Sequence, residues 1–202
     1  MSMKRLRTDQ PTPREPSRDE HAWFDHAHRG DMSAFEQLFR SFAADLVAFA
    51  GCYVDADDEA EDVVHVVFCW LWEHRFTLTR PQSVRSYLFA AVRNRALNAV
   101  RDRRSEAAFL ERAQRAHRES DSAAASPSPE SELAARDIEH ALADALRRMP
   151  PRCREVYTLA RDHGFSYAEI AEALGIAPKT VEIHMSRALG ILRQRLAPWL
   201  NG

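Results

Sequence analysis

The most constraining feature of the sequence is a helix–glycine–helix pattern over residues 165–192. Ser166 is followed three residues later by Glu169, a capping box in which each side chain satisfies a free backbone N–H of a helix start. Gly175 then suits a left-handed turn, and Pro178 suits the first turn of a second helix. A short helix, a glycine turn and a second helix predict a helix-turn-helix.

The second helix of this pattern has two chemically different faces when its residues are advanced by about 100° each. The inward face is apolar and comprises Val181, Met185, Ala188, Leu189 and Leu192. The outward face is mixed and comprises Lys179, Thr180, Glu182, Ile183, Ser186 and Arg187, with His184 at the flank. Such a mixture is typical of a helix that reads base edges in the major groove, because it combines donors, an acceptor and an apolar group. The alternative is a plain helical hairpin.

The rest of the chain also predicts helices. Only 6 glycines occur among 202 residues, and no useful length of strand-like alternation is present. Apolar residues at helical spacing predict three further helices, over 32–53, 57–75 and 84–104. We therefore predict an all-α protein of two small helical domains, in four parts: a disordered tail (1–20), a helical bundle (21–118), a flexible linker (119–131) and a second helical domain (132–202).

The formal net charge is only −2, but the charges are segregated along the chain. Residues 75–118 contain 11 arginines and three acids, whereas residues 55–62 contain six acids and no base. A concentrated basic surface attracts nucleic-acid phosphates even in a protein of low net charge. The pattern favours nucleic-acid binding, with a solvated charged helix as the alternative.

The predicted helix over 57–75 is apolar on most of its circumference between Val63 and Trp72. Such a helix is either enclosed by its own bundle or presents a docking face to a partner. The apolar stretch is too short to span a membrane, and the N-terminal residues lack the apolar core of a signal peptide. We expect a cytoplasmic protein without membrane insertion.

Several motifs resemble one family, the extracytoplasmic-function (ECF, group 4) RNA polymerase sigma factors of the sigma-70 family. Residues 165–171 and 180–189 resemble region four, and the AEDVVHVVF segment at 60–68 resembles region two. Residues 86–94 resemble the promoter-melting helix. The resemblance implies a factor that directs bacterial RNA polymerase core enzyme to specific promoters and aids promoter melting.

The resemblance also implies roles for particular residues. The β′ clamp coiled coil of the core enzyme would be bound by Asp62, Val63, Phe68, Leu71 and Trp72. The minus-ten element would be bound by Arg80, Arg85, Tyr87, Arg93, Asn94, Asn98, Arg101 and Arg104, with the loop 75–81 capturing a flipped base. The outward face of the second helix, with His184, would bind the minus-thirty-five element. The implied partners are core polymerase, promoter DNA and an anti-sigma factor.

Three residues depart from the family pattern. His65 and Val66 stand where glutamine and glutamate are common, which predicts a more apolar docking face. Ala177 stands where a serine cap is common, and losing such a cap costs a helix about 1 kcal/mol.

Two other functional classes remain open. A helix-turn-helix regulator that does not bind core polymerase would share the C-terminal pattern, although a response regulator would also show an α/β receiver. A metal-dependent hydrolase is suggested by a single cluster, His21, Asp25, His26, His28 and Asp31. We interpret the cluster as a solvated helix start, because no second carboxylate-rich helix accompanies it. The sequence also lacks a phosphate loop, a nucleophile elbow and zinc-finger spacing, so we expect no catalytic site, metal, cofactor or small-molecule substrate.

Overall fold

The computed structural model describes residues 18–54, 56–115 and 134–200. Within these ranges every regular element is an α-helix. In chain order the helices are α1 (Arg18–His28), α2 (Met32–Ala50), α3 (Asp57–His74), α4 (Val84–Arg115), α5 (Ala134–Arg147), α6 (Pro151–Arg161), α7 (Tyr167–Leu174) and α8 (Pro178–Leu200). The predicted all-α fold is confirmed.

The helices differ from the predicted ones at their ends. Helix α2 ends at Ala50 rather than at residue 53, and α3 ends at His74 rather than at residue 75. Helix α4 continues to Arg115, eleven residues beyond the predicted end at Arg104. Helix α1 begins at Arg18, so the prediction of disorder is wrong for residues 18–20, while residues 1–17 lie outside the described residues. The predicted linker 119–131 also lies outside them.

Local caps explain where two of the helices begin. The Asp31 side chain accepts hydrogen bonds from the backbone N–H groups of Ser33 and Ala34, at 2.9 and 3.2 Å, and so starts α2. The predicted capping box of Ser166 and Glu169 is present at the start of α7. Both caps satisfy backbone donors that have no partner within the helix.

A bundle of α1–α4 forms the N-terminal half of the described structure. Phe49 and Leu46 of α2, Val64 of α3 and Leu88 of α4 are essentially inaccessible to solvent. Helix α1 packs on α2 and α4 and contributes Phe24 to the same core. The long α4 therefore has one end fixed within the bundle.

The C-terminal half is built around α8, which packs against α5, α6 and α7. The α7–α8 unit is joined by Gly175, whose φ of +63° is the left-handed conformation that glycine adopts without strain. A separate apolar cluster joins α5 and α6 to the middle of α8: Ala145, Met149, Cys153, Ala188 and Leu192.

The two halves share one continuous apolar core. Phe49 and Phe89 of the N-terminal half pack with Phe165 and Leu159 of the C-terminal half. Nothing in the local sequence pattern predicts this contact, because it joins residues far apart in the chain. None of the described helices is both long and apolar enough to cross a membrane.

Candidate nucleic-acid interface

The first turns of α8 present the two faces that the sequence predicts. Val181, Met185 and Ala188 are at most 2% exposed and pack inward, whereas Ile183 is 55% exposed. The other outward side chains are exposed at Lys179, Glu182, Ser186 and Arg187 and half-buried at Thr180 and His184. The exposed set forms one continuous surface on the second helix of a helix-turn-helix.

Two contacts organise the side chains on this surface. The Lys179 Nζ atom lies 2.6 Å from Oε2 of Glu182, one turn along the helix. The hydrogen bond to Glu182 raises the pKa of Lys179. The His184 ring turns towards α6, where its Nδ1 atom lies 3.7 Å from Sγ of Cys153. His184 therefore sits at the edge of the surface, as predicted, and Arg187 lies within it.

The middle of α4, over residues 94–104, carries an exposed basic surface. Among the residues assigned to the minus-ten element, Asn94, Asn98, Arg101 and Arg104 are exposed. The neighbouring Arg103 is instead held by Glu59 of α3, with 2.7 Å between Nη1 and Oε2. Arg101 and Arg104 are thus accessible to solvent, whereas Arg103 forms an ion pair within the bundle.

Two residues assigned to the minus-ten element do not reach this surface. Arg85 and Arg93 are only 6% and 8% exposed. The Arg85 guanidinium donates a hydrogen bond to the carbonyl oxygen of His163, and Nε of Arg93 lies 3.3 Å from Oε1 of Glu155. Their placement on a DNA-facing surface is corrected for this conformation, because the C-terminal half covers them.

The remaining two minus-ten residues contact α1. Arg80, in the loop between α3 and α4, is exposed and lies 3.3 Å from the Asp25 carboxylate. Tyr87 is half-buried with its ring edge-on to Phe24, and burial raises the pKa of its hydroxyl. Helix α1 therefore supports both the loop and the start of α4.

The surface of α3 differs from the one expected. Val63, Phe68 and Leu71 are at most 4% exposed and belong to the bundle core, so their assignment as polymerase contacts is corrected. Asp62 is exposed, and Trp72 is half-buried against Phe35, with 5.0 Å between ring centres. The α3 side chains that face α2 and α4 are buried. Because α3 is apolar on most sides, its helical periodicity alone did not identify them.

Other α3 side chains form an exposed apolar surface. Val66 is 43% exposed and Trp70 is 46% exposed, with the Trp70 ring stacked on His74. The His65 ring stacks on Phe39 of α2, beside a shallow groove between the two helices. In the sequence, the apolar circumference of this helix and the departure from the family pattern at residues 65 and 66 pointed to this surface.

The loop after α3 carries a cation between two aromatic rings. The Arg75 guanidinium lies 4.1 Å from the Trp72 ring centre and 4.2 Å from that of Phe76, which is 62% exposed. Phe76 was not singled out in the sequence, although aromatic residues interleaved with arginine are a feature of single-strand binding surfaces.

Three residues of the suggested metal cluster have other contacts. Asp25 pairs with Arg80, Asp31 caps α2, and Nδ1 of His26 lies 3.6 Å from Oδ2 of Asp31. Among the described residues, no group of three or more His, Cys, Asp or Glu side chains is placed to hold a metal ion.

Each half of the chain matches one protein-family model. The family model "Sigma-70 region 2" matches residues 38–106, and "Sigma-70, region 4" matches residues 139–192. The two matches together cover more than half of the chain, in the order in which the motifs occur. The chain belongs to the sigma-70 family.

Named relatives of this sigma factor match most of its length. It is 28% identical over 167 residues to RNA polymerase sigma factor CarQ of Myxococcus xanthus, covering 83% of this chain and 91% of the relative. It is 29% identical over 177 residues to RNA polymerase sigma factor NccH of Alcaligenes xylosoxydans xylosoxydans, covering 86% and 92%.

Solved sigma factor structures share the fold. Bartonella quintana sigma factor RpoE, solved with the anti-sigma factor NepR, matches with a TM-score of 0.60 and 26% identity, over 81% of this chain and 96% of that one. CnrH, solved with the cytosolic domain of CnrY, matches with a TM-score of 0.64 and 24% identity, over 89% and 98%. Sigma factors are regulatory rather than catalytic proteins, and they bind core RNA polymerase and promoter DNA.

Proposed function

We propose that this sigma factor belongs to the extracytoplasmic-function class, group 4, and acts in the cytoplasm. Only residues 107–138 separate the two matched regions. That interval is shorter than a typical domain of 50 residues or more, so it leaves no room for a middle domain between regions two and four. In this proposal region two comprises residues 21–118, the linker 119–131 and region four 132–202, with a tail at 1–20.

In this proposal the exposed face of α8 reads promoter DNA. Its side chains lie opposite the buried Val181–Met185–Ala188 stripe, which holds the helix against α6 and α7. A helix held in this way and exposed along one side fits the major groove. We assign to it the recognition of the minus-thirty-five element.

In this proposal region two has two binding surfaces, one for the minus-ten element and one for core polymerase. The exposed residues 94–104 of α4, with Arg80 in the preceding loop, would bind the minus-ten element through phosphates and unstacked bases. The exposed part of α3, with Asp62, Val66 and Trp70 and the half-buried Trp72, would dock on the β′ clamp coiled coil. Exposed aromatic groups are frequent anchors of protein interfaces.

An anti-sigma factor is proposed as a further partner. Two structural relatives were solved with partners, RpoE with the anti-sigma factor NepR and CnrH with a domain of CnrY. The RpoE relationship supports the proposal at 26% identity over most of both chains.

Transcription from purified components tests the proposed function. Core RNA polymerase that lacks any sigma factor is given a library of genomic fragments with and without this protein, and the run-off transcripts are sequenced. We expect start sites that appear only with the protein. A helix-turn-helix regulator that does not bind core enzyme would produce none, and that result would remove the sigma assignment.

A matched pair of variants identifies the reading surface in the same assay. Arg187→Ala alters the exposed face of α8, whereas Arg195→Ala removes an exposed arginine two turns further along the same helix. The set of start sites should change with the first variant and stay the same with the second.

A further inference from the structure

Helix α1 lies beside the loop that joins α3 to α4, residues 75–83. Its Asp25 carboxylate pairs with Arg80 of the loop, with 3.3 Å between Oδ2 and Nη1. The preceding residue, Phe24, is buried, and its ring meets Tyr87 edge-on, with 6.4 Å between ring centres. Two consecutive residues of α1 therefore contact the end of the loop and the first turn of α4.

The middle of the loop also rests on α1. Leu78 is half-buried and packs against the core of the bundle. Its side chain lines a small apolar pocket together with Phe24, Ala27 and His28 of α1. Removal of this leucine from water holds the loop against the helix.

The turn between α1 and α2 reaches the beginning of the loop. Gly30 in this turn has a φ of +92°, a conformation that glycine adopts more readily than other residues. A Cβ atom at position 30 would lie 3.9 Å from Cζ of Phe76, so this exposed ring lies close to the turn. Every second loop residue from Phe76 to Arg80 is therefore placed by α1 or by the turn that follows it.

The ion pair of Asp25 and Arg80 acts on orientation more than on stability. The Arg80 side chain is 57% exposed and that of Asp25 is 36% exposed, and pairs of this kind contribute little to the free energy of unfolding. A guanidinium has several N–H donors, and those that Asp25 does not engage can meet a phosphate or a base edge. An arginine that is already held by a carboxylate loses less conformational freedom when it binds.

We infer that α1 positions the loop 75–83 for the minus-ten element, and that Asp25 is a positioning residue that acts through Arg80. The inference rests on the proposed function, which places Arg80 at the minus-ten element. The Asp25 carboxylate has two opposite effects on DNA binding. It orients Arg80, which favours the correct bases, and its negative charge disfavours phosphates of any sequence.

These opposite effects define the experiment. The run-off assay described above supplies a promoter, and its minus-ten element is randomised for transcription by the reconstituted holoenzyme. In Asp25→Asn the preference at one or more minus-ten positions should fall about fivefold or more, the lower part of what one well-placed arginine contributes. Affinity of the variant holoenzyme for non-promoter DNA should rise, because a negative charge is lost. A residue with only a structural role would not move these two quantities in opposite directions.

Glu36→Gln is the matched control. Glu36 pairs with Arg40 on the exposed side of α2, at 2.6 Å, so the variant also loses one negative charge and one exposed ion pair of the bundle. Its minus-ten preferences should equal those of the wild type. Asp25→Glu keeps the carboxylate and should retain most of the preference that Asp25→Asn loses.

A double variant tests whether Asp25 acts through Arg80. Arg80→Gln alone should lower the minus-ten preference, and Asp25→Asn in the same chain should lower it no further, because the group that Asp25 orients is absent. A further loss in the double variant would show that Asp25 acts by another route, and the inference would be wrong.

Two results separate this inference from the proposed function. Core-dependent initiation with unchanged minus-ten preferences in Asp25→Asn would retain the sigma assignment and reject the positioning role of α1. Absence of initiation by the wild type would reject the sigma assignment, and the inference with it.

Discussion

The ammonium group of Lys179 lies 2.6 Å from the Glu182 carboxylate on the proposed recognition helix. Lys179 is fully exposed, so the pair adds little to stability, but it partly neutralises the Glu182 carboxylate on the surface that we propose binds DNA. Arg187 lies on the same face, one turn or more further along, and its guanidinium can form two hydrogen bonds to a guanine. We therefore expect different roles for Arg187 and Lys179.

We predict that Arg187→Ala relaxes the preference at one base position of the upstream element, at a cost of about 1–3 kcal/mol there. Selection from a randomised upstream element, with wild type and variant holoenzymes, measures the preference. Lys179→Ala is the control and should lower affinity without changing the preferred bases, because Lys179 lies at the helix start where phosphates pass. Identical preferences for all three proteins, in a factor that still initiates, would mean that another surface reads the element.

The α3 surface leads to a prediction about binding of core polymerase. Trp72→Ala should weaken binding by about 2 kcal/mol or more if the ring anchors the interface, and Asp62→Ala should weaken it less. Phe68→Ala should instead destabilise the bundle by about 3–5 kcal/mol, because the Phe68 ring packs against Phe35 and Phe39 in the core. Thermal unfolding and titration with labelled core enzyme separate the two effects. Wild-type affinity in a folded Trp72→Ala, Asp62→Ala double variant would exclude this surface.

The contrast between Phe68 and Trp72 illustrates what the sequence predicts. Helical spacing predicted α2, α3 and the two faces of α8 correctly, since one apolar stripe defines an inward direction. Helix α3 is apolar on most sides, so its sequence did not distinguish Phe68, which α2 covers, from Val66, which is exposed.

Long-range contacts set the second limit of prediction from the sequence. Arg93 and Glu155 are 62 positions apart, and neither local charge pattern indicates that the two would meet. The sequence analysis likewise missed the first turn of α1, residues 18–20, which look polar although the helix packs against α2 and α4. Burial of Arg85 and Arg93 is therefore a result of the structure alone.

The basic end of α4 yields a prediction about salt dependence. Arg101→Gln together with Arg104→Gln should reduce the slope of log affinity against log salt by about two units, one for each lost phosphate contact. Arg103→Gln is the matched control and should leave the slope unchanged, because Arg103 is held by Glu59 at 2.7 Å. Titrations of a labelled duplex at several salt concentrations measure the slopes. Equal slopes for the double variant and the wild type would indicate a solvated surface without DNA contact.

The buried His163 predicts that acid opens the contact between regions two and four. The pKa of His163 is lowered, first by burial and also by the Arg85 charge, while Asp45 and Asp162 act in the opposite direction. These groups face the ring from α2, α4 and the end of α6. Its Nδ1 atom has no hydrogen-bond partner among the described residues, so an added proton would be left without an acceptor.

The sign follows from the lowered pKa. With regions two and four in contact, His163 binds the proton less well than when they separate and its ring has the ordinary pKa of about 6.5. The contact is therefore fully favoured above that pH and loses stability as the pH falls below it. Burial raises the pKa of Asp162 above its ordinary value, so protonation of Asp162 favours the contact and opposes the effect of His163.

Cys52 lies against Thr158 of α6, at the contact, whereas Cys69 is exposed on α3. The rate of alkylation of Cys52 relative to Cys69 therefore measures this opening, and the ratio cancels much of the dependence of thiolate formation on pH. The ratio should rise as the pH falls through about 6.5 in the wild type. In His163→Gln, which keeps a polar side chain but cannot gain the charge, the ratio should stay level. His184→Gln is the matched control, because His184 contacts Cys153 within region four, and it should behave as the wild type does. A ratio that rises equally in His163→Gln would show that another group opens the contact.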